Sequence, residues 1–239
     1  MYGGSALVKK RIVIGILCLL IILGAFCLTA KQHAAIFSSA NGNNTGKTII
    51  IDAGHGGFDG GAVASDGTVE KDINLKIANC LSEMLAINGF DVVMTRTTDS
   101  GTEDDFTKPI QTRKVSDLKN RLKLMNSYED AIFISIHLNK FTASGANGAQ
   151  VFYSKNNPKS SDLGLSIQNS VKNLLQNEND RVIKQGTKST YLLYNAKIPA
   201  VIVECGFLSN KAELQKLKDE EYQRRLAFSI YCGIIDYYT

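Results

Sequence analysis

Three side chains capable of metal-binding or acid–base chemistry follow directly after apolar stretches of the sequence. His55, His137 and Glu204 each stand at the end of a run of mostly apolar residues, and the runs occupy positions 48–53, 131–136 and 200–203. Such runs, rich in β-branched residues, are typical of strands buried on both faces of a sheet. Ligands of open α/β sheets bind at the carboxyl ends of the strands. We therefore expect the three side chains to lie at one rim of a sheet.

Two imidazoles and a carboxylate can form a catalytic zinc site whose fourth position is open to water. Glu70 begins the helix that we predict after the first strand, so it can reach the same rim as the histidines. Zinc lowers the pKa of bound water to about 7. A further carboxylate beside that water can take its proton and pass it to a leaving amine. Glu204 suits this role.

The same residues also have purely structural explanations. A single histidine at the end of a strand is more often a hydrogen-bonded part of the scaffold than a metal ligand. Glu70 would stabilise the helix dipole as a first-turn glutamate. Glu204 is harder to explain in this way, because a carboxylate directly after a buried apolar run is costly unless it has a partner.

Alternating strands and helices position these residues. Apolar residues at spacings of three and four predict helices at 70–88, 114–126 and 162–176, and two more from about positions 211 and 221. Further strands are predicted at 90–94, 150–153 and 190–194. This pattern is typical of an α/β fold, with a single domain built on a mainly parallel, twisted sheet flanked by helices.

The region before the second histidine carries two more expectations. The polar residues 97–111 lack periodicity, so we predict a loop near the mouth of the site. The helix at 114–126 should bury the apolar residues on one of its sides, which are Val115, Leu118, Leu122 and Met125.

Charge and cysteine content exclude two classes of protein. The chain of 239 residues has a net charge of +4, and Lys9, Lys10 and Arg11 account for most of it. The remainder is nearly neutral, so there is no electrostatic footprint for nucleic acid. The five cysteines show no paired spacing, which argues against a disulfide framework.

The N-terminal part of the chain differs from the rest. Residues 12–30 are apolar and uncharged, and they follow a basic segment. This length nearly matches a hydrocarbon core of about 30 Å, and the basic flank should stay in the cytoplasm. We expect residues 1–31 to be a membrane anchor or uncleaved signal segment, with a cleaved signal peptide as the alternative. Residues 32–46 read as a flexible linker that contains His33, a solvated bystander, and 47–239 as the catalytic domain.

Four separated motifs resemble the zinc-dependent N-acetylmuramoyl-L-alanine amidases. The motifs occur in the order of that family and span nearly all of residues 47–232. They are Ile51-Asp52-Ala53-Gly54-His55-Gly56-Gly57, Glu70-Lys71-Asp72-Ile73-Asn74-Leu75, Ser135-Ile136-His137-Leu138-Asn139 and Val203-Glu204-Cys205-Gly206-Phe207-Leu208-Ser209-Asn210.

The resemblance implies a reaction and a role for each site residue. It implies zinc on His55, Glu70 and His137, with Glu204 as the catalytic carboxylate. The implied reaction is hydrolysis of the amide between the lactyl group of muramic acid and L-alanine in peptidoglycan. Asn139 either positions the substrate or braces the site. Two further residues match family positions with structural roles, and they are Arg121 and Asn126. Cys205 departs from the aliphatic residue that the family often has.

A short, anchored form without a wall-binding module is similar to the germination-specific members, which act on spore cortex. The resemblance therefore implies an extracytoplasmic protein, anchored or exported, for instance between the forespore membranes. Its partners would be peptidoglycan, the membrane and an accessory activator protein. Two alternatives stay open, which are another zinc peptidoglycan peptidase and a non-catalytic wall-binding protein on the same fold.

Overall fold

One six-stranded sheet forms the centre of the protein in the computed structural model, which describes residues 45–141 and 145–239. The strand order is β2-β1-β3-β6-β4-β5. The strands are β1 (Thr48–Ala53), β2 (Asp91–Met94), β3 (Ala131–Asn139), β4 (Gln150–Tyr153), β5 (Lys184–Gln185) and β6 (Ala200–Phe207). All neighbouring strands are parallel except β4 and β6, which are antiparallel. The sheet is therefore mainly parallel, as predicted.

Among the described residues, six helices cover the two faces of this sheet. They are α1 (Glu70–Ile87), α2 (Ile110–Asn126), α3 (Lys159–Leu174), α4 (Tyr191–Asn195), α5 (Lys211–Lys218) and α6 (Glu220–Tyr238). Side chains cap two of them. Asn210 accepts hydrogen bonds from the backbone N–H groups of Ala212 and Glu213 at the start of α5, and Asp219 accepts one from Tyr222 at the start of α6.

The two faces of the sheet carry separate apolar clusters. Successive strand residues point to opposite faces, so Ile49 and Ile51 enter a large cluster while Ile50 enters a small one. The large cluster includes residues of α1, α3, α5 and α6. The small cluster includes Met125 of α2 and two leucines of α4. The three consecutive isoleucines are fully buried, as predicted for a central strand.

Two expectations about the elements were wrong, and one short strand was not predicted. Residues 191–195 form the short helix α4 rather than a strand, and β5 is a strand of two exposed residues that no apolar pattern marks. On α2, Val115 and Leu118 are exposed, while the buried residues are Asp117, Arg121 and Met125. The side of α2 that faces the sheet is thus partly charged, which hydrophobic periodicity cannot detect.

The predicted anchor at 1–31 and most of the predicted linker at 32–46 lie outside the described residues. Within residues 45–141 and 145–239, no helix is both long and apolar enough to cross a membrane. The assignment of 1–31, 32–46 and 47–239 to anchor, linker and catalytic domain stays a prediction.

Candidate metal centre

The turn after β1 holds His55 in a left-handed conformation, with a φ of 62°. This conformation is uncommon for a residue other than glycine. Two buried arginines donate hydrogen bonds to the carbonyl groups of the turn. Arg96 donates hydrogen bonds to the oxygens of Ala53 (2.8 Å) and Gly54 (3.1 Å), and Arg121 donates to those of Ala53 (3.0 Å) and His55 (2.7 Å). These bonds offset the backbone strain and fix the position of the imidazole.

Arg121 is itself held by two carboxylates. It donates to Asp52 in β1 and to Asp117, one turn earlier in α2. The hydroxyl groups of Ser135 and Thr95 also donate to Asp52. Burial raises the pKa of Asp52, but the charge of Arg121 and the two hydroxyl bonds outweigh it and lower the pKa to about 2. The buried pair is therefore ionised at neutral pH.

The side chains of His55, Glu70 and His137 meet at the rim of the sheet. His55 Nε2 lies 3.4 Å from Glu70 Oε2, and His137 Nδ1 lies 3.1 Å from Glu70 Oε1. One ligand atom from each residue can be chosen so that all lie within 4.8 Å of one another. Ligands that stand about 2.0–2.2 Å from a tetrahedral zinc ion are about 3.3 Å apart. The donor types and spacing therefore fit zinc.

Two glycines leave the space that this cluster occupies. A Cβ atom on Gly54 would lie 2.3 Å from His137 Nε2. A Cβ atom on Gly61 would lie 2.6 Å from both Glu70 Oε2 and His55 Cδ2. Any side chain at these positions would displace a member of the cluster. Because Gly54 faces Nε2 of His137, the Nδ1 atom of that ring is the one presented to Glu70.

Asp59 orients the imidazole of His55 from the side opposite the cluster. Its Oδ2 lies 2.9 Å from His55 Nδ1, and its Oδ1 pairs with Lys114 Nζ at 2.9 Å. Burial lowers the pKa of His55, but hydrogen bonds to Asp59 and Glu70 outweigh it and raise the pKa to about 9. A carboxylate on one ring nitrogen leaves the other free for a metal, as is common for zinc-bound histidines.

Glu70 is held in place by backbone groups as well as by the histidines. Its Oε2 accepts a hydrogen bond from the N–H of Ala62 (2.8 Å), and its Oε1 accepts one from the N–H of Leu138 (2.9 Å). Burial raises the pKa of Glu70, but His137 and His55 outweigh it and hold the pKa below its usual range. Glu70 is thus an ionised carboxylate at neutral pH.

Glu204 lies beside this cluster, on the strand next to that of His137. The two residues are direct neighbours in the register of β3 and β6. Burial raises the pKa of Glu204, and the nearby charge of Glu70 adds to this effect. Its Oε2 atom is buried and has no hydrogen-bond partner within the described residues. A buried carboxylate oxygen without a partner is costly, so it points to a bound group at this place.

A family model described as N-acetylmuramoyl-L-alanine amidase matches residues 49–236, a range that contains the whole cluster. The chain belongs to the N-acetylmuramoyl-L-alanine amidase family.

Individual relatives of this amidase agree with the family model. The germination-specific N-acetylmuramoyl-L-alanine amidase of Bacillus subtilis (strain 168) is 37% identical over 195 residues, which cover 82% of this chain and 81% of the relative. The solved structure of the CwlD amidase from Clostridioides difficile, in complex with the GerS lipoprotein, is 42% identical with a TM-score of 0.77 and covers 80% of this chain and 98% of that chain. LytC of Bacillus subtilis (strain 168), also an N-acetylmuramoyl-L-alanine amidase, is 31% identical over 81% of this chain but only 36% of its own length.

The amidase site contains residues that the sequence interpretation left out. Arg96 and Asp59 contact the His55 turn or its imidazole, and Lys114 pairs with Asp59, yet all of them lie in loops or on a polar helix side without periodicity. A signal for Asp59 was available, since it lies four residues after His55 in the same glycine-rich loop.

The remaining candidates of the amidase site lie at different distances from the cluster. Arg121 supports the His55 turn, which is the structural role expected for it. Asn126 instead joins α2 to the end of α4, through hydrogen bonds with Asn195 and Lys197. Asn139 ends β3 two residues after His137, and its backbone oxygen accepts a hydrogen bond from Leu208. The choice between substrate binding and bracing for the Asn139 side chain stays a prediction.

Proposed function

We propose that this protein is a zinc-dependent amidase that hydrolyses the bond between the lactyl group of N-acetylmuramic acid and L-alanine in peptidoglycan. The main supporting observation is that His55, Glu70 and His137, which come from three separate elements, lie close together in a protein of the amidase family. Glu204 stands beside them with a buried oxygen that no described residue satisfies. This set is more than a wall-binding protein would need.

Each residue of the candidate site has a defined task in this reaction. His55, Glu70 and His137 would hold the zinc ion, which would supply Lewis acidity for the amide carbonyl and lower the pKa of water. Asp59 keeps the Nε2 atom of His55 directed at the metal position. The arginines behind the His55 turn keep the imidazole in place without contacting the substrate.

Glu204 moves the proton. A carboxylate with a pKa raised by burial is closer to the operating pH, and general acid–base catalysis is most efficient there. Glu204 would accept a proton from the attacking water and deliver it to the amine of L-alanine as the amide bond breaks. The products are a free lactyl carboxylate on the glycan and a peptide with a free L-alanine amine.

We further propose that the protein acts outside the cytoplasm on spore cortex. The support is its likeness to the germination-specific amidase of Bacillus subtilis and to a Clostridioides difficile amidase whose solved structure is a complex with the GerS lipoprotein. On the same basis we propose that an accessory lipoprotein binds this amidase as well. Residues 1–31 would keep it at the membrane.

The test is digestion of cortex and of vegetative sacculi by a chain that begins near Asn41, with and without a chelator. Mass analysis of the products should show free lactyl ends that disappear with chelation and return with zinc. Stem peptides shortened at another bond would identify a zinc peptidase instead. Zinc content without product from either wall, in the presence of the cognate lipoprotein, would support a binding protein.

A further inference from the structure

An extra residue in β6 places the side chain of Phe207 on the face of the sheet that carries the site. His137 is paired with Glu204, but Asn139 is paired with Phe207, so β6 uses one residue more than β3 over this stretch. Such a bulge re-aims the side chains that follow it, and bulges are common next to active sites. Phe207 therefore shares a face with His137 and Glu204.

Gln150 lies on the other side of Glu204, in the antiparallel strand β4. The two residues are direct partners in the register, so their side chains point to the same face. Gln150 is buried, and its amide is fixed at both ends. Its Nε2 donates to the backbone oxygen of Val182 (2.8 Å), and its Oε1 accepts from Arg181 Nη1 (3.0 Å).

The side chains of Phe207 and Gln150 both contact Arg181. Its guanidinium lies over the ring of Phe207, with a distance of 4.6 Å from Cζ to the ring centroid, and its Nε donates to the backbone oxygen of Asn147 (2.6 Å). Its remaining nitrogen, Nη2, has no acceptor among the described residues. The guanidinium is thus held from three directions while one edge stays available.

Arg181 also lacks a counter-charge. The ion pairs among residues 45–141 and 145–239 do not include it, and the segments outside these ranges contain no aspartate or glutamate. Two other arginines near the site, Arg96 and Arg121, donate hydrogen bonds to backbone oxygens within the protein. A positioned guanidinium with a free edge is suited to a carboxylate.

We propose that Arg181 determines substrate specificity by binding a carboxylate of the stem peptide, an inference that rests on the proposed function. From His137 in β3 to Gln150 in β4 there are two strand spacings, which amount to about 10 Å. An extended peptide covers that distance in about three residues. The carboxylate therefore belongs to one of the first residues of the stem, beyond the L-alanine whose amide bond is cut.

The experiment compares two forms of one substrate. Soluble peptidoglycan fragments are used with their carboxylates free, and after conversion of these carboxylates to carboxamides with carbodiimide and ammonia. The full-length protein, Arg181→Gln and Arg181→Lys are measured on both forms, with zinc content and melting temperature recorded for each. Arg224→Gln is the matched control, because it removes an arginine of α6 that pairs with Glu221 at the surface.

The wild type should cleave the free form with a kcat/KM about tenfold higher than the amidated form, mainly through KM, as expected for one charge-assisted contact. Arg181→Gln should bring this ratio to about one, while the control keeps the wild-type ratio. Arg181→Lys should keep part of it, because a point charge replaces the planar fork.

Several results would overturn the inference. One is a wild-type enzyme that does not distinguish the two forms, and another is an Arg181→Gln variant that loads zinc and keeps the full ratio. If Arg181→Gln fails to fold, Arg181→Lys decides, and an unchanged ratio there would assign Arg181 a bracing role only. If the wild type with zinc cleaves neither form, the proposed function is wrong, and this inference, which rests on it, is wrong as well.

Discussion

The two faces of the sheet are built from the same strands but have different roles. On the face of α1, α3, α5 and α6, apolar side chains continue towards the ends of the strands, as far as Ala53, Leu138 and Cys205. On the face of α2 and α4, the small apolar cluster ends at Ile50, Phe133 and Ile202. Beyond it come buried polar residues and then the candidate metal centre.

This difference shows how stability and chemistry are divided. In β1, Ile51 packs into the large cluster while Asp52, the next residue, binds Arg121 on the other face. In β6, Cys205 is in the large cluster while Glu204 lies beside His137 of the candidate metal centre. Substitutions on one face should therefore change turnover and metal content, and substitutions on the other should change only the free energy of unfolding.

The largest effect is expected at the metal centre. His137→Ala should lose bound zinc and reduce activity to background, because catalytic zinc has few protein ligands and each is required. Its fold should remain, since the large cluster is untouched. Elemental analysis and muropeptide release are the measurements.

His33→Ala is the control for this prediction, because His33 lies in the predicted linker and outside the described residues. It should leave zinc content and activity unchanged. Wild-type zinc content in His137→Ala would show that the ligand set is wrong.

The next effect concerns Glu204. Glu204→Gln should fold and keep its zinc but turn over about 10²- to 10⁴-fold more slowly, which is the range of a general acid–base contribution. Single-turnover release of lactyl ends at saturating substrate measures this step directly. An active Glu204→Gln variant would remove the carboxylate from the mechanism.

A smaller effect is expected for the buried charges behind the His55 turn. The pKa of Asp52 is about 2 when folded and near 3.8 when unfolded, so the ionised form contributes roughly 2 kcal/mol to stability at pH 7. Because the folded pKa is the lower one, this contribution is complete above pH 4 and is lost as the pH falls towards 2. Asp52→Asn should therefore be less stable than the wild type at pH 7, and the difference should shrink below pH 4.

Urea unfolding at several pH values tests this sign. Glu221→Gln serves as the comparison, since its partner Arg224 is an exposed residue of α6 and surface pairs contribute little. A difference between wild type and Asp52→Asn that grows as the pH falls would contradict the assignment.

The smallest effect is expected for Cys205, the neighbour of Glu204 on the apolar face. Burial raises the pKa of its thiol above the usual range, so it is a poor nucleophile. Cys205→Ser should keep its zinc and most of its activity, with a stability loss of about 1–3 kcal/mol for a buried hydroxyl. A zinc-loaded but inactive Cys205→Ser would point to thiol chemistry and would break the division between the faces.

The sequence predicts the parts of this molecule that depend on simple periodicity. Strand β4 is predicted at its observed bounds, and the strands before His55 and His137 are recognised because their side chains are apolar on both faces. The positions of His55, His137 and Glu204 at one rim follow from parallel strands, whose carboxyl ends share an edge.

The parts that the sequence does not predict depend on polar contacts between distant segments. The buried side of α2 is misassigned because Asp117 and Arg121 are inside, paired with a strand residue that is far away in the chain. Asp59 and Arg96 act through single hydrogen bonds that no spacing encodes. The bulge that re-aims Phe207 appears only in the pairing of β3 with β6.

The two arginines behind the His55 turn also bear on how a metal ion enters and leaves the protein. In many small metalloproteins, metal binding and folding are a single equilibrium. Here Arg96 and Arg121 hold the turn through bonds within the protein, so we expect its shape to persist without an ion. We then expect metal exchange to be a local event at the rim of the sheet. Imidazole and carboxylate ligands accept several divalent ions, so we expect the identity of an ion bound here to depend on the supply around the protein as well as on the ligand set.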